Sequence, residues 1–228
     1  RLYHSYFMSN SIAKQLKMSY YPQLDNMDMA DVSNFLELNE EKHHIGCRNW
    51  VDKYHFQPLA AFTIAYSDKY IYVDFYVRGN NLRAVNHTNN SPVAEDSCVE
   101  FFLSIPESKE YWNFEFNCIG TVNASHRETR ENPTRLTDCE IAQIKRFASC
   151  GATPFEEKEG IHSWNLMIAI PFSLIGLDAT NLPELIKGNF YKCGSKTSTP
   201  HLLSWSPIEY PKPDFHRPEF FGTIEFAK

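Results

Sequence analysis

Glu100 and Glu115 each stand in a strand-like run whose apolar and polar residues alternate, and that alternation decides which groups share a surface. In Asn113-Phe114-Glu115-Phe116-Asn117-Cys118, the apolar Phe114, Phe116 and Cys118 point one way, and Asn113, Glu115 and Asn117 the other. In Val99-Glu100-Phe101-Phe102-Leu103 the natural core set is Val99, Phe101 and Leu103, which leaves Glu100 with Cys98 and Phe102. Lys192 lies opposite Tyr191 and Cys193 in a third such run. Neighbouring strands thus offer carboxylate, amide and ammonium groups to one surface beside aromatic rings. A sugar needs that set, because its hydroxyls donate and accept in the ring plane while its C–H face packs on an aromatic. Every half-solvated sheet has a polar outer face, so the combination carries the inference and no single residue does.

Glu100 and Glu115 also bear comparison with the acid and base of a glycosidase, which flank the scissile bond. Both are expected mid-strand on one wall, which argues against that chemistry. There is no Gly-x-Ser-x-Gly elbow, no His-Glu-x-x-His helix and no phosphate-binding glycine loop. His43 and His44 are adjacent, and adjacent positions rarely chelate one metal; a solvated turn accounts for them. The six cysteines, Cys47, Cys98, Cys118, Cys139, Cys150 and Cys193, include no pair separated by two residues, so zinc-ribbon and thioredoxin-type motifs are absent. Cys98, Cys118 and Cys193 read as buried thiols acting as small apolar residues, and the even count leaves disulfides open.

The elements that must position these groups follow from composition and period. At 228 residues, 43% of them hydrophobic, the chain can bury a core without staples. Its 17 Phe, 12 Tyr and 4 Trp favour strands. A net charge of -6 offers no basic surplus for a phosphate backbone, which argues against a nucleic-acid partner. No apolar run is long enough to cross a bilayer.

Residues 1–26 read as an arm along the body, and the spacing over 28–38 predicts a short amphipathic helix. Period two then takes over. Residues 61–66 and 70–77 read as antiparallel strands around the turn Ser67-Asp68-Lys69, and 80–92 as a polar loop. Further strands are expected at 98–105, 111–118 and 120–126. A capping box of Thr137 and Glu140 opens a helix with Ile141, Ile144 and Phe147 on one face. Strands resume over 163–170, 189–196, 202–205 and 221–226. This spacing predicts an all-β, antiparallel β-sandwich, immunoglobulin-like or jelly-roll-like, with one or two short helices. No repeat or linker divides residues 1–228, so a single domain and a monomer are expected, with 1–44 as an arm and helix packed on it. Trp50, Trp164 and Trp205 are expected in the core, and Trp112 partly exposed.

Glu95-Asp96-Ser97-Cys98-Val99-Glu100-Phe101-Phe102 resembles the segment that opens a central strand in family 9 carbohydrate-binding modules. Ser204-Trp205-Ser206-Pro207, with Pro213-Asp214-Phe215-His216-Arg217-Pro218-Glu219-Phe220-Phe221-Gly222, resembles their closing loop and last strand. The runs 45–50 and 164–172 are similar to their early turn-then-Trp entry and to their Trp, alternating, Pro-Phe strand. The resemblance spans most of residues 45–226 and implies a sandwich that binds carbohydrate without transforming it. Such modules grip a terminal sugar between two aromatic side chains, with hydrogen bonds from the sheet face.

By position, the resemblance assigns Phe215 to one ring of that clamp. It places Glu100 and Lys192 at sugar-contacting sheet positions, and Glu115 and Asn117 on the neighbouring strand. The second ring should precede Glu95, where Val93 and Ala94 stand. Either Trp112, Tyr111 or another ring replaces it, or the slot is remodelled for a different ligand; a one-sided stack weakens binding by roughly 1–3 kcal/mol. Arg127, Arg130 and Arg135 follow a strand bordering the same face, where they contact an acidic or branched sugar or form a solvated loop. The implied partner is a mono-, oligo- or polysaccharide of xylan, cellulose or hemicellulose type, and the implied role is support of its breakdown from a secreted or periplasmic address. Structural calcium occurs in the family; Asp68, Asp74, Glu95 and Asp96 stand near loop ends without forming a ligand loop. Similar sandwiches carry haem, for which Met167 and Lys192 are the conceivable ligands. Phe215→Ala is expected to abolish sugar binding with little loss of stability.

Overall fold

The structure is a computed structural model and describes residues 12–228. The first part of the expected arm, residues 1–11, lies outside the described residues. Strands are β1 (Gln15–Tyr20), β2 (His43–His44), β3 (Leu59–Tyr66), β4 (Tyr70–Ala84), β5 (Cys98–Ser104), β6 (Tyr111–Asn117) and β7 (Val122–Arg127). They continue as β8 (Thr134–Arg135), β9 (Lys145–Ala148), β10 (Phe155–Pro171), β11 (Leu185–Cys193), β12 (Leu202–Ser204) and β13 (Gly222–Phe226). Two helices, α1 (Met29–Asn39) and α2 (Asp138–Ala142), interrupt them.

The strands form two layers of a β-sandwich. The first has the order β8-β7-β6-β5-β11-β13, with β12 also on β11; the second has β3-β4-β10-β9, with β2 on β3. Strand β1 joins them. Its first residues, Gln15 to Met18, run parallel to β13, and Ser19 and Tyr20 run parallel to the end of β3. The arm is therefore a strand shared between sheets, and its two parallel pairings depart from the all-antiparallel expectation. Leu16 and Met18 alternate inward, a pattern too short to stand out in the sequence.

Alternation fills the space between the layers. Phe62 stacks on Phe190 at 3.7 Å, and Phe190 lies nearly parallel to Phe101 at 4.5 Å. Trp205 closes this stack edge-on, 5.6 Å from Phe190. Each such buried ring contributes about 1.5–3 kcal/mol relative to exposure. The packing leaves no room at Gly222, where a Cβ would come 2.5 Å from the Trp205 ring and 2.7 Å from the Lys14 carbonyl. The β3–β4 turn forms because Ser67 Oγ accepts from the amides of Lys69 and Tyr70, both at 3.1 Å.

Three boundaries differ from expectation. Strand β4 runs on to Ala84, so the polar loop starts later than Asn80; bulges against β10 absorb its irregular alternation. Helix α2 has the expected capping box but ends at Ala142, and Phe147 lies instead in β9, 38% exposed. Strand β10 begins at Phe155 through a polar stretch that projects beyond the core. Helix α1 lies on the outer face of the second sheet, where Val32 and Leu36 pack on Tyr72, Met167 and Ala169.

Candidate functional site

The register of β5 and β6 sets Glu100 directly opposite Glu115, Phe102 opposite Asn113 and Cys98 opposite Asn117. All six side chains project from the outer face of the first sheet, as alternation requires. Two loops, 47–57 and 205–221, fold over this face and build a second apolar cluster that includes Trp50, Phe102, Tyr111, Tyr191, Phe215 and Phe221. Phe215 stacks on Tyr191 at 4.2 Å, and the Tyr191 hydroxyl donates to the Phe215 carbonyl at 3.2 Å. Trp50 donates from Nε1 to the Tyr210 carbonyl at 2.8 Å. Tyr111 and His216 share a 2.9 Å hydrogen bond, and Arg130 and Arg217 pair with Asp214 at 3.5 and 3.0 Å. Burial, followed by the charges of Arg127 and Arg130, pushes His216 down to about 3, so it is neutral.

The two glutamates then part company. Glu115 accepts from Asn113 Nδ2 at 2.8 Å, and Asn113 Oδ1 accepts from Arg127 Nε at 2.9 Å. Arg135 lies beyond, donating to Asn123, the register partner of Glu115. Burial pushes Glu115 up to about 7, opposed by the Asn113 hydrogen bond and by Arg127 and Arg135. Glu115 is 8% exposed and borders half-buried Arg127 and exposed Arg135. Glu100 is only 3% exposed, accepts from the thiols of Cys193 (2.9 Å) and Cys98 (3.6 Å), and is held well above the usual carboxylate range by burial first. Both glutamates are thus buried instead of lining the shallow hollow expected from sequence, Glu100 more deeply than Glu115, which borders Arg127.

Other expected residues fall in different places. Asn117 shares the face, but its amide holds the 86–97 loop: Nδ2 donates to Asn86 O (2.7 Å) and Asp96 Oδ2 (3.0 Å), while Oδ1 accepts from Thr121 N. Lys192 is corrected outright. It pairs in register with Val99, so it points to the inner side of the sheet, away from Glu100. There Nζ meets His201 Nε2 at 2.7 Å and the Cys193 carbonyl at 2.9 Å, beneath Trp164. Burial lowers the lysine, and it drives His201 to about 3, leaving a neutral ring whose Nδ1 donates to Thr199 O.

Trp112 is likewise on the inner parity, opposite Leu103, and packs against the main core beside His126. It cannot supply a second clamp ring on the Glu115 face. Trp50 is buried as expected, in the apolar cluster over that face. Phe215 does lie over the face, but it is 9% exposed with one ring face spent on Tyr191.

Geometry also weighs the remaining alternatives. Met167 points to the outer face of the second sheet under α1, and Lys192 to the inner face of the first, so the two cannot meet on one haem. Glu100 and Glu115 share one wall rather than facing each other across a scissile bond. His43 and His44 pair with Phe62 and Ala61 on opposite faces of β3. Asp68, Asp74, Glu95 and Asp96 have separate partners in Tyr20, Ser33 with Asn165, Lys196, and Arg83 with Asn117. Among the described residues no helix is long and apolar enough to cross a membrane.

A two-layer β-sandwich with polar side chains and loop-borne rings on one outer sheet face defines a small-ligand binding module. The chain belongs to carbohydrate-binding family 9, whose family model matches residues 31–226. A Bacteroides uniformis protein, provisionally described from its crystal structure as carbohydrate-binding, is 36% identical with a TM-score of 0.89, covering 95% of this chain and 100% of that one. A family 9 module from Caldicellulosiruptor kristjanssonii, solved with cellotriose, is 15% identical with a TM-score of 0.53 and covers 93% of each chain. The same module with glucose gives 16% identity and a TM-score of 0.53, covering 94% of this chain and 96% of that one. At that identity the likeness concerns the fold. No curated protein matches the chain.

Proposed function

We propose that this protein binds carbohydrate without catalysing its cleavage, at the edge of the β5–β6–β7 face where Arg127, Asn113 and Glu115 are joined by hydrogen bonds. That line carries the reading. At the rim of a ring cluster the half-buried Arg127 guanidinium and the edge of the Glu115 carboxyl keep hydrogen-bonding capacity for hydroxyls, while Asn113, fully buried between them, orients both. The Tyr111–His216 bond holds the loop bearing Phe215 against the same sheet face, with the Phe215 ring stacked on Tyr191. A sugar packing there has its apolar face on one ring only, which fits a single terminal or side-chain unit more than a clamped one. Deeper groups support the edge and do not touch the ligand: Glu100 and Lys192 lie beneath, and Asn117 fixes the neighbouring loop.

Neutral oligosaccharides suit this chemistry, and membership of the family supports a role in holding xylan, cellulose or hemicellulose fragments during their breakdown. Glucose and cellotriose, held by the C. kristjanssonii module, are the first probes. Isothermal calorimetry against both, followed by a glycan array, is expected to reveal saturable binding that weakens in Asn113→Ala. Absence of binding to any sugar, with the protein folded, removes the reading.

A further inference from the structure

One row from the glutamate pair, β11 and β5 set Cys193 directly opposite Cys98 on the same outer face. Both thiols approach Glu100, with Sγ–Oε2 distances of 2.9 Å from Cys193 and 3.6 Å from Cys98. One ligand atom from each of the three lies within 4.8 Å of the others, and all three side chains are buried. Among the described residues no other three His, Cys, Asp or Glu side chains converge in this way.

The charge pattern around them is incomplete. Glu100 has no lysine, arginine or histidine within ion-pair distance among the described residues, and thiols are weak donors. Lys192, the residue before Cys193, is buried with only His201 and a carbonyl on its ammonium. A carboxyl buried without a cation keeps its proton, and a buried ammonium without an anion is costly.

We propose that Cys98, Glu100 and Cys193 form a binding site for a thiophilic divalent cation, with zinc the best fit. Zinc bonds of about 2.3 Å to sulfur and about 2.0–2.2 Å to oxygen, set tetrahedrally, hold two sulfurs about 3.8 Å apart and a sulfur and oxygen about 3.5 Å apart. The 3.6 Å Cys98–Glu100 separation already matches, and the Cys193–Glu100 contact opens by about half an ångström. The fourth position falls to water. Two thiolates and a carboxylate bring three negative charges, which the metal and Lys192 together neutralise. Binding releases the thiol protons to solvent. Calcium does not suit the site, since it takes six to eight oxygens and a single carboxylate is present. Glu100 is on this account a metal ligand, whatever the Glu115 edge binds.

The test is metal analysis of the full chain, reduced, stripped with chelator and reloaded with zinc or cobalt(II) alone. The expected result is one equivalent of metal per chain, a cobalt–thiolate charge-transfer band in the near ultraviolet, and a Tm that rises with zinc. Cys98→Ser, Cys193→Ser and Glu100→Gln should each weaken zinc roughly a hundredfold or more, while Cys139→Ser, at an exposed position, leaves it unchanged. If a ligand variant fails to fold, the cobalt spectrum of the unaltered protein still decides. Sub-stoichiometric zinc without the thiolate band, in protein whose thiols are shown to be free, overturns the proposal. So does a cobalt spectrum that survives Cys193→Ser.

Discussion

Both sheets bury acids on their outer faces, yet the two faces are finished differently. On the second sheet α1 lies over Asp74, whose carboxylate accepts from Ser33 and, at 3.2 Å, from Asn165. Burial raises Asp74, and those neutral donors oppose the rise. Its cover comes from a helix that also packs Val32 and Leu36 on the sheet, so its hydrogen bonds are met within the fold. On the first sheet the cover comes from loops, 47–57 and 205–221, pinned by side-chain bonds rather than by regular backbone pairing. That cover thins at Glu115, 8% exposed, where one amide and two arginines serve a nearly buried carboxyl. A helix lid completes an acid structurally; a loop lid leaves an edge at which a ligand can complete it.

The sharpest way to break this comparison is Phe215→Ala. Because the ring is stacked on Tyr191 and nearly buried, the expected loss of stability is about 3 kcal/mol, larger than the small effect expected from sequence. Urea unfolding measures it, and sugar affinity should fall roughly tenfold or more alongside. Unchanged affinity in a folded variant would detach the loop from the ligand edge. Asn117→Ala leaves the buried Asp96 short of a donor and should cost about 2 kcal/mol. Calorimetry should find its sugar affinity unchanged; an affinity loss without destabilisation would return Asn117 to the site. Asp74→Asn is expected to cost a similar amount, about 1–3 kcal/mol, with no effect on sugar, since its face is separate.

Smaller effects concern Glu115 itself. Glu115→Gln should weaken sugar about tenfold or less, with folding intact. Its pH signature has a definite sign. The folded carboxyl holds its proton to about pH 7, against an ordinary value of 4.5, so the native state binds more protons than the unfolded one between those values. Stability therefore falls as pH rises through that window and levels above it. Urea midpoints at pH 5 and pH 8 should differ less in Glu115→Gln than in the parent chain; equal slopes would mean that Glu115 ionises normally.

Much of the fold was legible because strand parity is local. The pairing of β3 with β4, the capping box of α2 and the shared face of Glu100, Glu115 and Asn113 all follow from period two or from short turn chemistry. Asn113 stood in that alternation beside Glu115, and parity was the signal that marks it as part of the site. Strand β1 was not legible, because six residues paired in parallel with distant partners carry no period of their own. Phe147 misled because helical spacing continued on paper after the backbone had left the helix.

The sequence by itself determined the sandwich and, through alternation, which residues of a strand travel together. It could not determine which side of the sheet each set would meet, because parity inside one strand says nothing about its register with the next. Only pairing with Val99 sends Lys192 inward, whereas Trp112 goes inward with Phe114 and Phe116 of its own strand. Solvent access is equally a property of the assembled chain: two loops distant from Glu100 in sequence, 47–57 before it and 205–221 after it, cover it and leave Glu115 nearer the rim. A residue's type sets what bonds it can make; distant chain decides whether water or a ligand can reach them.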